Sequence, residues 1–252
     1  TTKKYALRNI VECARELDES IVAVVDGDDS LCNDETVSIL LDSYSDGSED
    51  GGNNGAGTAI VGTVSGTSIS FGTAVVFESD SCADISAVYD TNAQKVVISY
   101  KDGGNSNHGY AIVGTVSGTS ISFGSAVVFE SAVSSYTSII FDSNSNKVVI
   151  AYSDEGNSGH GTAIVGTVSG TSISFGSPTV FNTANTMYVF AIFDSNANKV
   201  VIGYRDQGNS AYGTAIVGTV SGTSISFGSA VVFESALPTN YVSGTFDSNA
   251  NK

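Results

Sequence analysis

The chain has 252 residues, long enough for one large or two small domains with a substantial hydrophobic core. It carries 26 acidic and 10 basic residues, and its net charge of −16 would repel nucleic acid and anionic membrane surfaces. No apolar stretch reaches the length of a membrane span, so we expect no insertion into a bilayer. Cys13, Cys32 and Cys82 form neither an even set nor a CxxC pair. We therefore interpret them as unpaired apolar residues rather than a disulfide framework.

The first 44 residues differ in character from the rest of the chain. Apolar residues between Ala6 and Ala14 recur at helical spacing and predict a helix. The run SIVAVVDGDD that follows predicts a buried parallel strand that carries carboxylates at its C-terminal edge. Residues 37–44 place Val, Leu, Leu and Tyr at i, i+3, i+4 and i+7, which predicts a second helix capped by Asn33 and Asp34.

A helix followed by a strand and VVDGDD resembles the DxD region of GT-A glycosyltransferases of the family-2 kind. The resemblance implies that Asp26 and Asp28, with Asp29 as a neighbour, hold a divalent cation such as Mn²⁺ against the diphosphate of a nucleotide sugar. It covers about a sixth of the chain. The nucleotide-binding strand that precedes this region in the family is not present before Lys3, and the acceptor half with its general base is also missing.

From residue 45 onward the sequence predicts a mainly β domain of tandem repeats. The segment AIVGTVSGTSISFG recurs unchanged from Ala59, Ala111, Ala163 and Ala215. Each 52-residue copy supports four short strands, with a tight hairpin at the Ser-Gly pair. Because both faces of these strands are apolar, we expect sheets packed on both sides, as in a propeller-like array. The predicted blades are residues 57–108, 109–160, 161–212 and 213–252.

The last copy stops at FDSNANK, where its sister copies continue into another strand. Two explanations stay open. The missing strand is supplied by residues 39–46, which would require residues 37–44 to be a strand rather than a helix. Alternatively, the natural protein continues with more blades. An unfilled edge would favour self-association by strand addition.

The copies differ in two places that could form a binding rim. One is the connection before the third strand, which carries Tyr136, Tyr188 and Tyr241. The other is the loop that begins at Asp102, Asp154 or Asp206 and ends at His108, His160 or Tyr212. The loop aspartates suit an Asp-capped turn and are also candidate Ca²⁺ ligands. Tyr212 stands where the preceding copies have His108 and His160. We therefore interpret this position as a loop residue at the rim rather than a metal ligand.

The Gly/Ser/Thr-rich segment SGTSISFG of the repeats resembles the repeats of marine phage appendage proteins. This resemblance implies a location on a virion or an extracellular surface. Two functions follow from the sequence. The first is a non-enzymatic propeller-like protein for adhesion or for binding carbohydrate at a surface. The alternative is a fragment of a metal-dependent glycosyltransferase whose repeats present the acceptor.

Overall fold

A computed structural model describes residues 22–25, 36–43, 55–65, 67–248 and 250. The predicted helix between Ala6 and Ala14 and the acidic residues Asp26, Asp28 and Asp29 lie outside these ranges. The described residues are mainly β, as the repeat composition predicts, and their only helices are three 3-10 turns of three residues. In these ranges no helix has the length and apolarity needed to cross a membrane.

The described residues form seventeen β-strands, numbered here in chain order. Two of them precede the repeats: β1 (Val22–Val25) and β2 (Thr36–Ser43). The first copy forms β3 (Ala56–Ser65), β4 (Ser68–Phe71), β5 (Val75–Asp90) and β6 (Lys95–Asp102). The second forms β7 (His108–Ser117), β8 (Ser120–Phe123), β9 (Val127–Asp142) and β10 (Lys147–Asp154). The third forms β11 (His160–Ser169), β12 (Ser172–Phe175), β13 (Thr179–Asp194) and β14 (Lys199–Asp206), and the fourth forms β15 (Tyr212–Ser221), β16 (Ser224–Phe227) and β17 (Val231–Glu234).

The strands pair antiparallel in four similar sheets. Sheet 1 contains β1, β2, β3, β4 and the first half of β5. Sheet 2 contains the second half of β5, then β6, β7, β8 and the first half of β9. Sheet 3 continues the pattern from β9 to β13, and sheet 4 from β13 to β17. In every sheet the short hairpin strand and the first half of the following long strand share one side of the same central strand.

The long strands β5, β9 and β13 connect one sheet to the next. Val133 of β9 is opposite His108 in sheet 2, whereas the next residue, Ser134, is opposite Asp154 in sheet 3. The sequence pattern predicts two separate strands in this part of each copy, and the structure joins them into one 16-residue segment that changes partner halfway. Sheets 2 to 4 therefore each combine parts of two successive sequence copies, and sheet 1 combines the segment before the repeats with the first copy.

The predictions for the segment before the repeats are wrong in two respects. Residues 37–44 do not form a helix, because residues 36–43 form β2 and pair antiparallel with β3, with Leu40 opposite Ile60. β1 is not a parallel strand, since it pairs antiparallel with β2. Helical spacing of apolar residues is overridden here because β3 offers a long strand edge, and Val, Ile and Thr suit that pairing.

The strand β2 also does not complete the fourth copy. It occupies sheet 1, in the position that β6, β10 and β14 hold in the other sheets. The described strands form an open series, and their pairing does not confirm a closed ring of four blades.

The core lies at the junctions between successive sheets. At the first junction Phe77 from sheet 1 packs against Tyr100 and Phe123 from sheet 2, with ring centroids 5.3 and 5.7 Å apart. The same three-ring contact recurs one and two repeats later, through Phe129, Tyr152 and Phe175 and through Phe181, Tyr204 and Phe227. The three tyrosines are fully buried. Apolar faces on both sides of each sheet are thus explained by packing on the sheets before and after it.

The invariant hairpin fixes how closely the sheets approach. A methyl group at Gly176, which follows β12 of sheet 3, would lie 1.9 Å from the carbonyl oxygen of Thr223 in sheet 4. Gly72 and Gly124 make the same approach to Thr119 and Thr171. Only glycine permits this backbone contact, so the identity of the hairpin among the copies follows from sheet packing.

Candidate functional site

The two ends of the sheets differ in character. At one end are the hairpin tips between paired strands such as β7 and β8 and the Asp-capped turns such as that after β9; we call it the hairpin end. At the other end β6, β10 and β14 finish and β7, β11 and β15 begin; we call it the variable end. Both regions in which the copies differ lie at the variable end. The strand pairing therefore brings together two groups of residues that are well separated along each copy.

Three tyrosines form a ladder across the variable end. Tyr136 packs against Tyr188 with ring centroids 5.2 Å apart, and Tyr188 against Tyr241 at 4.8 Å, with the ring planes tilted by 58° and 45°. Tyr136 and Tyr188 are partly buried, whereas Tyr241 is 80% exposed. We call these three residues the tyrosine ridge. Packed, partly exposed rings offer an apolar surface edged by hydroxyl groups.

The tyrosine ridge is held in an uncommon backbone conformation. Its members have φ values of 52–55°, in the left-handed region that bulky residues rarely occupy. The first copy places Asp84 at the same position, with φ 50°. Such a conformation costs about 1–3 kcal/mol and persists only where the surrounding structure imposes it. In the long strands these residues lie at a register shift of the pairing, as between Ser135 and Ser138 opposite Ser153 and Ala151, so a β-bulge imposes the conformation.

Charged and polar groups flank the tyrosine ridge. The guanidinium of Arg205 lies 6.0 Å from the ring centroid of Tyr188 and donates a hydrogen bond to the side-chain oxygen of Asn240. In the first copy the Lys101 ammonium is 2.9 Å from the Asp84 carboxylate, and both side chains are partly exposed. The rim thus changes from an ion pair at one end of the array to aromatic rings with a nearby cation at the other.

A second group of polar side chains lies at each junction, below the variable end. The Tyr100 hydroxyl donates to a Glu78 carboxylate oxygen at 3.3 Å, and Tyr152 donates to Glu130 at 3.1 Å. Glu78 also approaches Asp102 and the exposed Asp80, with one oxygen of each within 4.8 Å of the others. Three carboxylates at such distances are the oxygen ligands that a hard cation such as Ca²⁺ prefers.

Two of the loop aspartates, the buried Asp102 and the partly buried Asp154, lie next to a like charge. Burial raises the pKa of Asp102 above its ordinary value, and the Glu78 carboxylate raises it further. The pKa of Asp154 is raised in the same way, by burial and then by Glu130. Backbone N–H groups of the following 3-10 turn oppose both shifts. The two carboxyls thus keep their protons more readily than an exposed aspartate would.

The third junction removes this like-charge contact. Asn182 replaces the glutamate, and its amide donates to Asp206 at 3.2 Å and to the Thr186 hydroxyl at 2.9 Å. Burial and Asp206 raise the pKa of Tyr204 to about 12. The position of Thr186 is held in the first copy by Cys82, a buried free thiol whose pKa burial and then Glu78 raise to about 12. Because the thiolate is the reactive form, Cys82 is a packing residue.

The structure separates the predicted site residues into two sets. Tyr136, Tyr188 and Tyr241 come together in the tyrosine ridge. The loop aspartates each cap a 3-10 turn, as the sequence pattern predicts, and each lies opposite the predicted rim residue across the sheet. These pairs are Asp102 with His108, Asp154 with His160 and Asp206 with Tyr212. The Ca²⁺ assignment stays a prediction, as does the DxD assignment, whose residues lie outside the described ranges.

Several residues of the candidate site were not predicted from the sequence. Glu78, Glu130 and Asn182 occupy one repeat position, and their partnership with the loop aspartates depends on a contact between sheets that spans about 24 residues of chain. Asp84 was also missed as the counterpart of the tyrosines. Aligning the copies at their 52-residue period does identify both positions, since each holds residues of differing charge within an otherwise similar frame.

Comparison of the chain with models of known protein families and with curated proteins finds no match.

Proposed function

We propose that this protein is a non-enzymatic repeat protein that binds carbohydrate at a surface, in an adhesive role, through the variable end of its sheets. The observation that carries the proposal is the tyrosine ridge. Aromatic rings with hydroxyl edges can cover the apolar faces of sugar rings while their polar edges engage sugar hydroxyls. Arg205 and Asn240 supply further hydrogen-bonding groups beside it.

The internal comparison among the copies supports a binding role. The hairpin AIVGTVSGTSISFG keeps its residues in every copy, whereas the variable end changes charge and size from copy to copy. Strained backbone at the tyrosine positions is a further indication, because such conformations cluster at functional sites. A surface whose residues vary upon a constant frame is suited to recognising an extended, chemically uneven ligand such as a glycan chain.

We further propose that the sheets are the blades of a propeller-like array. Two features support this proposal. The sheets are antiparallel and of blade size, and each is joined to the next by one long strand whose first half pairs in one sheet and whose second half pairs in the following sheet. In such an array the variable ends form one continuous rim. A glycan that spans several blades would then contact several copies at once.

Binding to a glycan array, followed by titration of the best glycan, tests the binding proposal. The double variant Tyr136→Asp, Tyr188→Asp copies the residue that the first unit places at this position, and Asp tolerates left-handed backbone better than Tyr. We expect a loss of affinity of about five- to 150-fold, because each of the two rings contributes about 0.5–1.5 kcal/mol beyond its area.

The matched control is Tyr110→Thr, which removes a tyrosine from β7 and installs the residue found in the third and fourth copies. It should leave glycan affinity unchanged. Absence of any glycan ligand on the array, or equal loss of affinity in the control and the ridge variant, would refute the proposal.

A further inference from the structure

The last sheet exposes a face that the other sheets bury. Val217 of β15 is 46% exposed, whereas its counterparts Val61, Val113 and Val165 are fully buried. Phe233 of β17 is 54% exposed, whereas Phe77, Phe129 and Phe181 are 7–9% exposed. In sheets 1 to 3 the residues that cover these positions come from the following sheet. No described residue covers them on sheet 4.

The first sheet exposes the opposite, complementary face. Ile69 of β4 is 36% exposed, whereas Ile121, Ile173 and Ile225 at the same position are 3–4% exposed because the preceding sheet covers them. Phe71 beside it is 47% exposed, and its counterparts pack on the phenylalanine of the preceding sheet. The two ends of the array thus offer the two halves of an interface that the molecule already forms three times internally.

We propose that a second copy of this chain docks its sheet 1 on sheet 4 of the first, reproducing the internal junction. Phe71 of one copy would pack on Phe233 of the other, as Phe123 packs on Phe77. Gly228, which follows β16, would meet the hairpin residue Thr67 of the next copy, as Gly176 meets Thr223. The interface is head to tail, so repetition gives either a closed ring or an open filament.

The chain beyond β17 is already arranged for such a junction. The Thr239 N–H donates to the Ala211 carbonyl at 2.9 Å, as Thr186 donates to Gly159 at 2.8 Å in the preceding sheet. Tyr241 packs against Tyr188, and Gly244 approaches Phe190 so closely that a methyl group there would lie 2.4 Å from the ring. In sheets 2 to 4 the corresponding position starts the edge strand, which is the second half of β5, β9 or β13. Residues 242–246 therefore lie where such an edge strand begins, yet no described strand pairs with them.

That geometry requires an exchange of strands. In sheet 1 the corresponding edge position, beside β2, is occupied by β1, which is only four residues long. In the assembly, residues 242–246 of one copy would take this position beside β2 of the next copy and release β1. Strand addition to a sheet edge is a common mode of association, and here the acceptor edge is freed by a weakly held strand.

Sedimentation velocity over a wide range of concentrations tests the proposal on the 252-residue chain. We expect the mass to rise with concentration. Gly228→Ala should weaken association at least about tenfold without unfolding the monomer, because its new methyl group meets no atom nearer than 3.8 Å within one chain but would strike the backbone of the next copy.

Two further variants separate this interface from unspecific aggregation. Val217→Glu should abolish association, whereas Val232→Glu should not, because the position of Val232 is exposed in every copy and lies outside the junctions. Val24→Pro, which weakens the pairing of β1 with β2, should strengthen association at least about tenfold if β1 competes with residues 242–246.

Three results would overturn the proposal. One is a monomer at every concentration, whether the two exposed faces stay free or close on each other within one chain. Another is association that Gly228→Ala and Val217→Glu leave unchanged. The third is association that Val24→Pro weakens while hydrogen exchange in sheets 2 to 4 stays as in the parent chain.

Discussion

The hairpin end and the variable end of each sheet are built on the same strands but obey different constraints. At the hairpin end, glycine and threonine from successive copies approach each other closely, and the hairpin that carries them does not change in sequence. At the variable end, the same repeat position holds Asp84 in one copy and Tyr136 or Tyr188 in others. Close packing of sheet on sheet thus fixes residues at one end, while solvent at the other end tolerates exchange.

A tyrosine at a junction and a tyrosine of the ridge should differ most in their contribution to stability. Tyr152→Ala removes a fully buried ring and leaves Glu130 without its donor, so we expect a loss of about 3–5 kcal/mol in the free energy of unfolding. Tyr241→Ala, at a position 80% exposed, should change it by less than about 0.5 kcal/mol. Urea denaturation measures both, and similar losses in the two variants would contradict the division into packed junction and solvent-facing ridge.

A smaller effect is expected where one methyl group is added at the hairpin end. Gly176→Ala places a carbon 1.9 Å from the Thr223 carbonyl oxygen, so the two sheets must separate and the free energy of unfolding should fall by about 1–3 kcal/mol. Gly228→Ala is the matched control, since no following sheet lies against it in the single chain. Thermal unfolding at low protein concentration compares them. Equal destabilisation would show that the constraint is local to the hairpin rather than imposed by the next sheet.

The smallest effect concerns the partly buried carboxyl of Asp154 and depends on pH. Because the pKa of Asp154 is raised in the folded state, its contribution to stability is present below the ordinary value of 3.8 and is lost as pH rises through the folded pKa. Glu130→Asn installs the residue that the third copy has at this position, removes the neighbouring charge and should lower the pKa of Asp154. The loss of stability between acidic and neutral pH should then shrink.

An NMR titration of the Asp154 carboxyl measures this change directly. Glu155→Gln removes an exposed carboxylate from the same loop and serves as the control, because Glu155 is not among the groups that shift Asp154. A pKa that moves equally in both variants would indicate a general charge effect rather than the specific contact with Glu130.

Local sequence was sufficient to predict the strands and turns of the repeats. The Ser-Gly pairs do form tight turns, with positive φ at Gly118, Gly170 and Gly222, and Asp194 caps the turn before β14 through bonds from the backbone of residues 196 and 197. These features depend on residues within a few positions of each other. Periodicity, β-branched composition and turn chemistry report such short-range preferences directly.

Contacts between distant residues were decided only by the tertiary structure. Residues 36–43 have helical spacing yet form a strand, because the edge of β3 supplies partners that no local pattern reveals. The packing of Tyr136 against Tyr188, and the approach of Glu78 to Asp102, likewise require one sheet to be placed on the next. Within the repeats, the sequence by itself determined that the segments are extended and where the tight turns lie. Which side chains meet was decided by the packing of sheet on sheet, since burial of apolar faces outweighs local propensity.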